Sequence, residues 1–224
     1  LTFDCQPTPN NHTMKTHIFI TLLTSLLLTS ACVQSPKDQR VVAEGAQPIL
    51  LSNAFTFTEG PATDKQGNVY FTDQPNNQII KWTQEDNSFS VFTDSSHRSN
   101  GMYFDREGKL ISCADLNNQL ISINQNGELS ILAEGYNGLP LNGPNDLWIA
   151  PNGNIYFTDP YYHRDYWEKG HAEAQETRGV YLLTKEGAIS LVSDQYKQPN
   201  GLIGTPDGKT LYVADINDRK IWKY

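Results

Sequence analysis

The sequence predicts an all-β fold of the β-propeller class, and three observations support this prediction. The composition joins 11% aromatic residues to 16 glycines and 12 prolines, which is typical of short strands connected by tight turns. Similar segments recur along the chain, each with a glycine-centred turn followed by a strand rich in β-branched and aromatic residues. These segments begin at residues 59, 100, 145 and 200, so successive units are offset by 41, 45 and 55 residues. Repeats of this length are the signature of propeller blades.

Each unit is predicted to form four antiparallel strands in succession. In the first unit, the opening strand leads to the turn at Gln66–Gly67, and the second strand ends at Asp73. The alternating segment Gln78–Trp82 is a third strand, and Ser88–Phe92 is a fourth. The same glycine turn recurs in the other units at Glu107–Gly108, Asn152–Gly153 and Asp207–Gly208.

The fourth unit reaches the end of the sequence, Tyr224, within its third strand. A propeller has to close into a ring, because a blade cannot bury both of its faces alone. We therefore expect about four blades in this chain and roughly two further blades beyond it. The longest unit contains a charged and aromatic insertion, Tyr161–Arg178, which we expect to form a loop over one end of the propeller.

The sequence divides into four predicted regions, of which the propeller at residues 49–224 is the largest. Residues 1–13 precede the apparent start at Met14 and are expected to be a leader without a structural role. Residues 14–31 combine a basic start, a short apolar core and small residues at their end, as a signal peptide does. The polar residues 32–48 are expected to be a linker.

Cys32 follows the small residues in a pattern that resembles the bacterial lipobox, so we expect it to be lipidated. The residue that follows Cys32 is Val33 rather than Asp. By resemblance to lipoprotein sorting rules, this favours sorting of the protein to the outer membrane over the inner one. The expected location is the cell envelope, on the periplasmic face of the outer membrane, with membrane contact through the lipid anchor only. A plain signal peptide or an uncleaved anchor remains the alternative.

Charge and cysteine content exclude several classes of protein. The net charge is −8 and the sequence has no long run of Lys or Arg, which argues against nucleic acid as a partner. Cys5, Cys32 and Cys113 are too few and too scattered for a disulfide framework or a zinc site. Cys113 lies in an alternating strand and is predicted to be a small core residue.

An oxygen-bearing side chain opens every repeat at the same position. The innermost strands of a propeller surround its channel, so residues at matching positions are expected to converge on one axis. One carboxylate with several amide oxygens suits Ca²⁺, although other divalent cations are possible. Alternatively, the Asn-Gly and Asn-Asp dipeptides only shape the turn into each blade. The four residues are Glu59, Asn100, Asn145 and Asn200.

Several motifs occur in a fixed order between Ser52 and Tyr224. They are Glu59-Gly60-Pro61, Ser99-Asn100-Gly101, Leu141–Leu147, Tyr156–Pro160, Pro199–Leu202 and Leu211–Asp215. Together they resemble the gluconolactonase, regucalcin and senescence-marker family. The resemblance implies a six-bladed propeller with one catalytic divalent ion in its channel. Carried over residue by residue, Glu59, Asn145 and Asn200 match the family's ion ligands, while its remaining ligand, an Asp of a later blade, has no counterpart in this chain.

The resemblance also implies a function, which is calcium-dependent hydrolysis of a sugar-type lactone. The ion would polarise the lactone carbonyl for attack by water. The sequence contains no Gly-x-Ser-x-Gly motif, so a serine nucleophile is not expected. The base is expected to be the Asp beyond the chain end, so this chain is expected to have weak or no turnover. Asn100 and Asp146 are candidates for binding substrate hydroxyls.

Two other functions stay open at this point. A non-enzymatic envelope propeller could use the same ring to bind a ligand or a protein, and a paraoxonase-like propeller could hydrolyse aryl esters or phosphotriesters.

Two features of the sequence add expectations about the site. Many bacterial members of the family have a His where this chain has Asp115, so substrate preference does not carry over at this position. Asp115 and its counterparts in the other blades are expected to accept backbone hydrogen bonds at strand ends. The counterparts are Asp73, Asp159 and Asp215. The segment Tyr161–Arg164 could contact substrate as a lid or pack on itself.

Overall fold

A computed structural model describes residues 42–167 and 172–224. The chain divides into two compact units, Leu1–Ile49 and Leu50–Tyr224. In the first unit the described residues are exposed and include one turn, in which the Ala46 N–H donates to the Ala43 carbonyl at 3.1 Å. The predicted leader, the signal peptide and Cys32 lie outside the described residues and stay predictions. No described helix is long and apolar enough to cross a bilayer.

The second unit is all-β, and its strands form successive antiparallel sheets. The first sheet contains β1 Thr58–Thr63, β2 Val69–Asp73, β3 Gln78–Thr83 and β4 Ser88–Thr93, with a short 3₁₀ helix at Gln74–Asn76. The second contains β5 Ser99–Phe104, β6 Leu110–Ala114, β7 Gln119–Ile123 and β8 Leu129–Ala133. A small ribbon of β9 Gly135–Tyr136 and β10 Leu139–Pro140 follows.

The third and fourth sheets complete the described architecture. The third contains β11 Leu147–Ile149, β12 Ile155–Asp159, β13 Gly179–Leu183 and β14 Ile189–Ser193. The fourth contains β15 Pro199–Gly204, β16 Leu211–Asp215 and β17 Lys220–Lys223. In every blade the strands pair in sequence order, as in a propeller. The prediction of an all-β propeller with about four blades in this chain is confirmed.

Apolar side chains pack between neighbouring blades. Tyr70 and Ile79 of the first blade share a buried cluster with Met102, Leu110 and Ile121 of the second. The second and third blades share a cluster that includes Cys113, which is fully buried, as predicted for a small core residue. The third and fourth blades share a cluster with Trp148, Val180, Leu202 and Val213.

Burial along the strands reflects the number of neighbours that each blade has. Every residue of β6 and β7 is buried, because the second blade is covered on both of its faces. Strand β16 alternates instead: Leu211 and Val213 pack on the third blade, while Tyr212 between them is 36% exposed. On the first blade, Phe71 and Phe89 pack with Phe55, which precedes β1, rather than with a neighbouring blade.

A core substitution should measure how far these interfaces stabilise the chain. Phe157 is fully buried and stacks on Tyr181 with ring centroids 5.5 Å apart. We expect Phe157→Ala to lower the free energy of unfolding by about 3–5 kcal/mol, because it removes apolar contacts and leaves a cavity. Leu116 is 43% exposed, and Leu116→Ala should change stability by less than about 0.5 kcal/mol. Urea unfolding of both variants tests this prediction, and equal effects would contradict it.

Candidate metal centre

The four side chains that open the repeats line a single cavity of about 320 Å³. They come from four different blades, at or just before the start of each innermost strand. Asn100 and Asn145 are buried, Asn200 is partly buried, and Glu59 is exposed. The predicted convergence is therefore present, while the roles of these residues as ligands stay predictions. The lining also includes Asp146, Tyr103 and the residues that follow each of the four.

Glycines allow the innermost strands to approach each other closely. A Cβ atom on Gly60 would lie 2.1 Å from the Asn100 carbonyl oxygen, and one on Gly101 would lie 2.4 Å from Asp146 Oδ1. The Gly101 N–H donates to the Asn145 carbonyl at 2.8 Å, so the backbones of two blades are hydrogen-bonded to each other. We call the region where the innermost strands meet the hub. In the first two blades, the dipeptides Glu59-Gly60 and Asn100-Gly101 therefore combine an oxygen-bearing side chain with the absence of a side chain that close packing requires.

Irregular strand pairing occurs at the same place in three blades. The register shifts between Glu59 and Ala62 on β1, between Ser99 and Met102 on β5, and between Pro199 and Leu202 on β15. Such a bulge bends a strand and changes where its side chains point. In the third blade, Asn145 instead precedes β11, and its N–H donates to the Thr158 carbonyl at 3.0 Å. The four oxygens thus reach the cavity from locally distorted backbone.

Asp146 connects the third and fourth blades. Its Oδ1 accepts the Leu147 N–H at 2.9 Å, and its Oδ2 accepts the Leu202 N–H at 3.0 Å. Burial raises its pKa to about 6, the two backbone hydrogen bonds act in the opposite direction, and the charge of Glu59 adds to the rise. The sequence does not indicate this bridging role, because the partner N–H lies in another repeat.

The chemistry of the donors around the cavity fits a calcium ion. Within residues 42–167 and 172–224, no group of three or more His, Cys, Asp or Glu side chains is arranged to hold a metal. The cavity instead offers the exposed carboxylate of Glu59, whose Oε2 accepts the Gly60 N–H at 3.3 Å, and the amide groups of three Asn residues. Hard oxygen donors of this kind suit Ca²⁺, whereas zinc sites are built from Cys and His.

Three of the four strand-end aspartates accept backbone hydrogen bonds, as predicted. Asp73 accepts the N–H groups of Thr56 and Phe57, at 3.2 and 3.1 Å. Asp159 accepts those of Asn142 and Gly143 at 2.9 and 2.8 Å, and Asp215 accepts those of Lys197 and Gln198 at 2.8 and 2.9 Å. Each of these carboxylates fixes the loop that leads into the innermost strand of its own blade.

The same prediction is wrong for Asp115. Its described hydrogen-bond and ion-pair donors are side chains: Arg164 Nε at 2.5 Å, the Tyr166 hydroxyl at 2.6 Å and Gln74 Nε2 at 3.4 Å. The cause lies in the preceding loop, where His97 and Arg98 have φ angles of 53° and 54°. In this left-handed conformation the loop presents the Arg98 carbonyl, which accepts the Asp115 N–H at 3.4 Å. Burial raises the pKa of Asp115, and Arg164 opposes the rise.

The first described part of the insertion, residues 161–167, contacts one residue of the cavity lining as well as itself. The Tyr161 and Trp167 rings pack with centroids 5.7 Å apart. Asn200 Nδ2 donates to the Tyr162 hydroxyl at 2.8 Å. The insertion therefore contacts one predicted ligand, Asn200, and also Asp115, while its position over one end of the propeller stays a prediction.

Comparisons with known proteins agree on the family that this chain resembles. Residues 57–224 match the model of the SMP-30/gluconolactonase/LRE-like family. A gluconolactonase from Zymomonas mobilis is 28% identical over 207 residues, which cover 85% of this chain and 58% of that protein. A gluconolactonase structure from Xanthomonas campestris has a TM-score of 0.72 and 29% identity, covering 77% of this chain and 59% of that one.

A further solved structure is similar to this chain in fold alone. The structure of regucalcin, a calcium-binding protein from Agrobacterium tumefaciens, has a TM-score of 0.61 and 19% identity, with 77% of this chain and 55% of that one covered. The chain thus spans less than two thirds of the length of each of these relatives.

Two matched substitutions should test the close approach at the hub. Neither Gly101 nor Gly201 has a positive φ, so an added Cβ would strain neither backbone. It would affect stability only through its steric contacts. We expect Gly101→Ala to cost about 1–3 kcal/mol, since its Cβ would also meet the Asn145 carbonyl at 2.6 Å. The nearest atom to a Gly201 Cβ is Asp146 Oδ2 at 3.6 Å, so Gly201→Ala should change stability by about 1 kcal/mol or less. Similar unfolding midpoints for both variants would contradict this account.

The buried carboxyl of Asp159 should make stability depend on pH. Burial raises its pKa to about 7, above the ordinary value of 3.8, although two backbone hydrogen bonds act in the opposite direction. The folded state therefore holds more protons than the unfolded state between these values, and stability decreases as pH rises through about 7. We expect the free energy of unfolding to fall more between pH 5 and pH 8 in the wild type than in Asp159→Asn. Parallel pH profiles would rule out this assignment.

Proposed function

Because the chain belongs to the SMP-30/gluconolactonase/LRE-like family, we propose that it forms the larger part of an enzyme that hydrolyses a sugar-type lactone with the help of calcium. The observation that carries this proposal is the meeting of Glu59, Asn100, Asn145 and Asn200 at one cavity. Relatives named gluconolactonase, from Zymomonas mobilis and Xanthomonas campestris, support the choice of substrate class.

We propose that Glu59, Asn145 and Asn200 hold the ion. Glu59 supplies the negative charge, and the two amide side chains supply neutral oxygens, which is a ligand set that Ca²⁺ accepts. When bound, a calcium ion at this position supplies Lewis-acid polarisation of the lactone carbonyl. Other divalent cations that prefer oxygen ligands could occupy the same site.

The remaining polar groups of the cavity would orient the substrate. Asn100 is buried in the lining and is proposed to hydrogen-bond a substrate hydroxyl. Asp146 is also proposed to face a substrate hydroxyl, although its two oxygens already accept backbone N–H groups. Free lone pairs on a carboxylate that holds two hydrogen bonds leave room for a further donor. The cavity volume of about 320 Å³ suits a small molecule such as a sugar lactone.

The base that takes the proton from water is a separate part of the proposal. The chain spans 58% of the length of its Zymomonas mobilis relative, and we propose that a carboxylate in the remaining part of the protein performs this step. The chain of 224 residues by itself is then expected to turn over lactone weakly or not at all, even with calcium bound.

The full-length protein offers a direct test of the proposed activity. We expect it to hydrolyse gluconolactone, to lose activity in EDTA, and to regain activity when calcium is added back. Glu59→Gln should weaken Ca²⁺ binding by at least about tenfold, because it removes the carboxylate that is proposed to supply the negative charge of the site. Glu107→Gln is a matched control, since Glu107 is exposed in the turn of the second blade.

The outcomes of this assay separate the parts of the proposal. Gluconolactone hydrolysis that persists in EDTA would refute the metal-dependent mechanism. Calcium binding without hydrolysis of lactones, but with hydrolysis of aryl esters, would assign the site to an esterase instead. Calcium binding without turnover of either substrate would favour a binding propeller.

A further inference from the structure

We propose that Tyr162 is a positioning residue for the proposed calcium ligand Asn200, and that a hydrogen bond to its hydroxyl holds the Asn200 side chain in place. This inference rests on the calcium site proposed above. It concerns a residue of the insertion in the third blade, outside the repeating positions that supply the ligands.

The two ends of the Asn200 side chain differ chemically. An amide binds a cation through its carbonyl oxygen, whereas its NH₂ group can only donate hydrogen bonds. Asn200 Nδ2 donates to the Tyr162 hydroxyl at 2.8 Å, on the side of the insertion. In this arrangement Nδ2 is the end of the amide that faces Tyr162, and Oδ1 is the end that is left for a cation.

The backbone of Asn200 is held independently of its side chain. The Thr158 hydroxyl donates to the Asn200 carbonyl oxygen at 2.8 Å. Thr158 lies on β12 of the third blade, directly before Asp159. The main chain of Asn200 is thus fixed by a blade, and Tyr162 fixes the remaining freedom of its side chain. Hydrogen bonds that orient a metal ligand in this way are a general feature of protein metal sites.

Tyr162 is in turn held by contacts on both sides of the insertion. We call residues 161–167 the strap. Gln198 Nε2, from the loop before β15, donates to the Tyr161 carbonyl at 2.7 Å. On the other side, Arg164 and Tyr166 bind the buried carboxylate of Asp115 in the second blade. The strap therefore spans from the second blade to the fourth, and Tyr162 lies between its attachments.

The Tyr162 ring is also packed within the strap. The Arg164 guanidinium lies over this ring, 5.3 Å from its centroid.

Side-chain contacts join Asp115 to the strap. Its carboxylate binds the Arg164 guanidinium as an ion pair and also accepts the Tyr166 hydroxyl. Asp115 and the strap therefore form one unit in this chain, and that unit ends at the side chain of Asn200.

Removing one oxygen atom tests the proposal. Tyr162→Phe keeps the ring beneath Arg164 and deletes only the hydroxyl that accepts from Asn200. We expect this variant of the full-length protein to bind Ca²⁺ about tenfold more weakly, or weaker still, in isothermal titration calorimetry with the metal alone. Tyr212→Phe is the matched control, because Tyr212 lies on an outward-facing position of β16 and does not line the cavity. It should bind Ca²⁺ as the wild type does.

A second variant acts at the other end of the strap. Asp115→Asn removes the ion pair with Arg164 and leaves Tyr162 and Asn200 unchanged. We expect a smaller loss of Ca²⁺ affinity in the same direction. Near-ultraviolet circular dichroism of both variants without calcium should match the wild type, which separates an effect on the ligand from a loss of fold.

Each result has a distinct meaning. If the wild type binds Ca²⁺ and Tyr162→Phe binds it with equal affinity, the positioning role is overturned while the proposed function stands. If the wild type binds no Ca²⁺, the proposed metal site fails and this inference fails with it. Weaker binding by Tyr162→Phe, with the wild-type affinity retained in Tyr212→Phe, supports the positioning role.

Discussion

Gly101 has no Cβ atom, and the arrangement of the hub depends on that absence. Its Cα lies where a side chain would collide with Asp146 Oδ1 at 2.4 Å, while its N–H bonds to the Asn145 carbonyl. The innermost strands can therefore approach until their backbones touch, and the polar side chains beside the glycines gather in one cavity. The apolar clusters between successive blades hold this approach in place, because each blade buries one face against the next.

The repeats in the sequence were sufficient to predict the blades and the residues at their entrances. Glycine turns and strands recur at matching offsets, so a local pattern seen four times identified the element. Glu59 and Asn200 could be placed at one axis because every blade of a propeller presents the same position to its centre. The family resemblance then indicated the chemistry, and the family match from residue 57 onward agrees with it.

Other features depend on contacts between distant residues, which no repeat encodes. The bulges at the blade entrances were not predicted, because Gly60 and Gly101 also suit an ordinary turn. Asp115 occupies the same position as three loop-binding aspartates, yet the left-handed backbone at Arg98 gives it different partners. The bond between Tyr162 and Asn200 joins residues 38 positions apart. One available signal was the cluster of aromatic and charged residues in the insertion.

The uneven burial of the fourth blade has a practical consequence. Tyr212 and Ile221 lie on β16 and β17 with 36% and 70% of their surfaces exposed, and β17 is the outer strand of the described sheet. A strand edge beside an apolar surface readily recruits another polypeptide. The edge of β17, with the exposed side chain of Ile221 beside it, therefore has the features of a surface to which another polypeptide can add a strand.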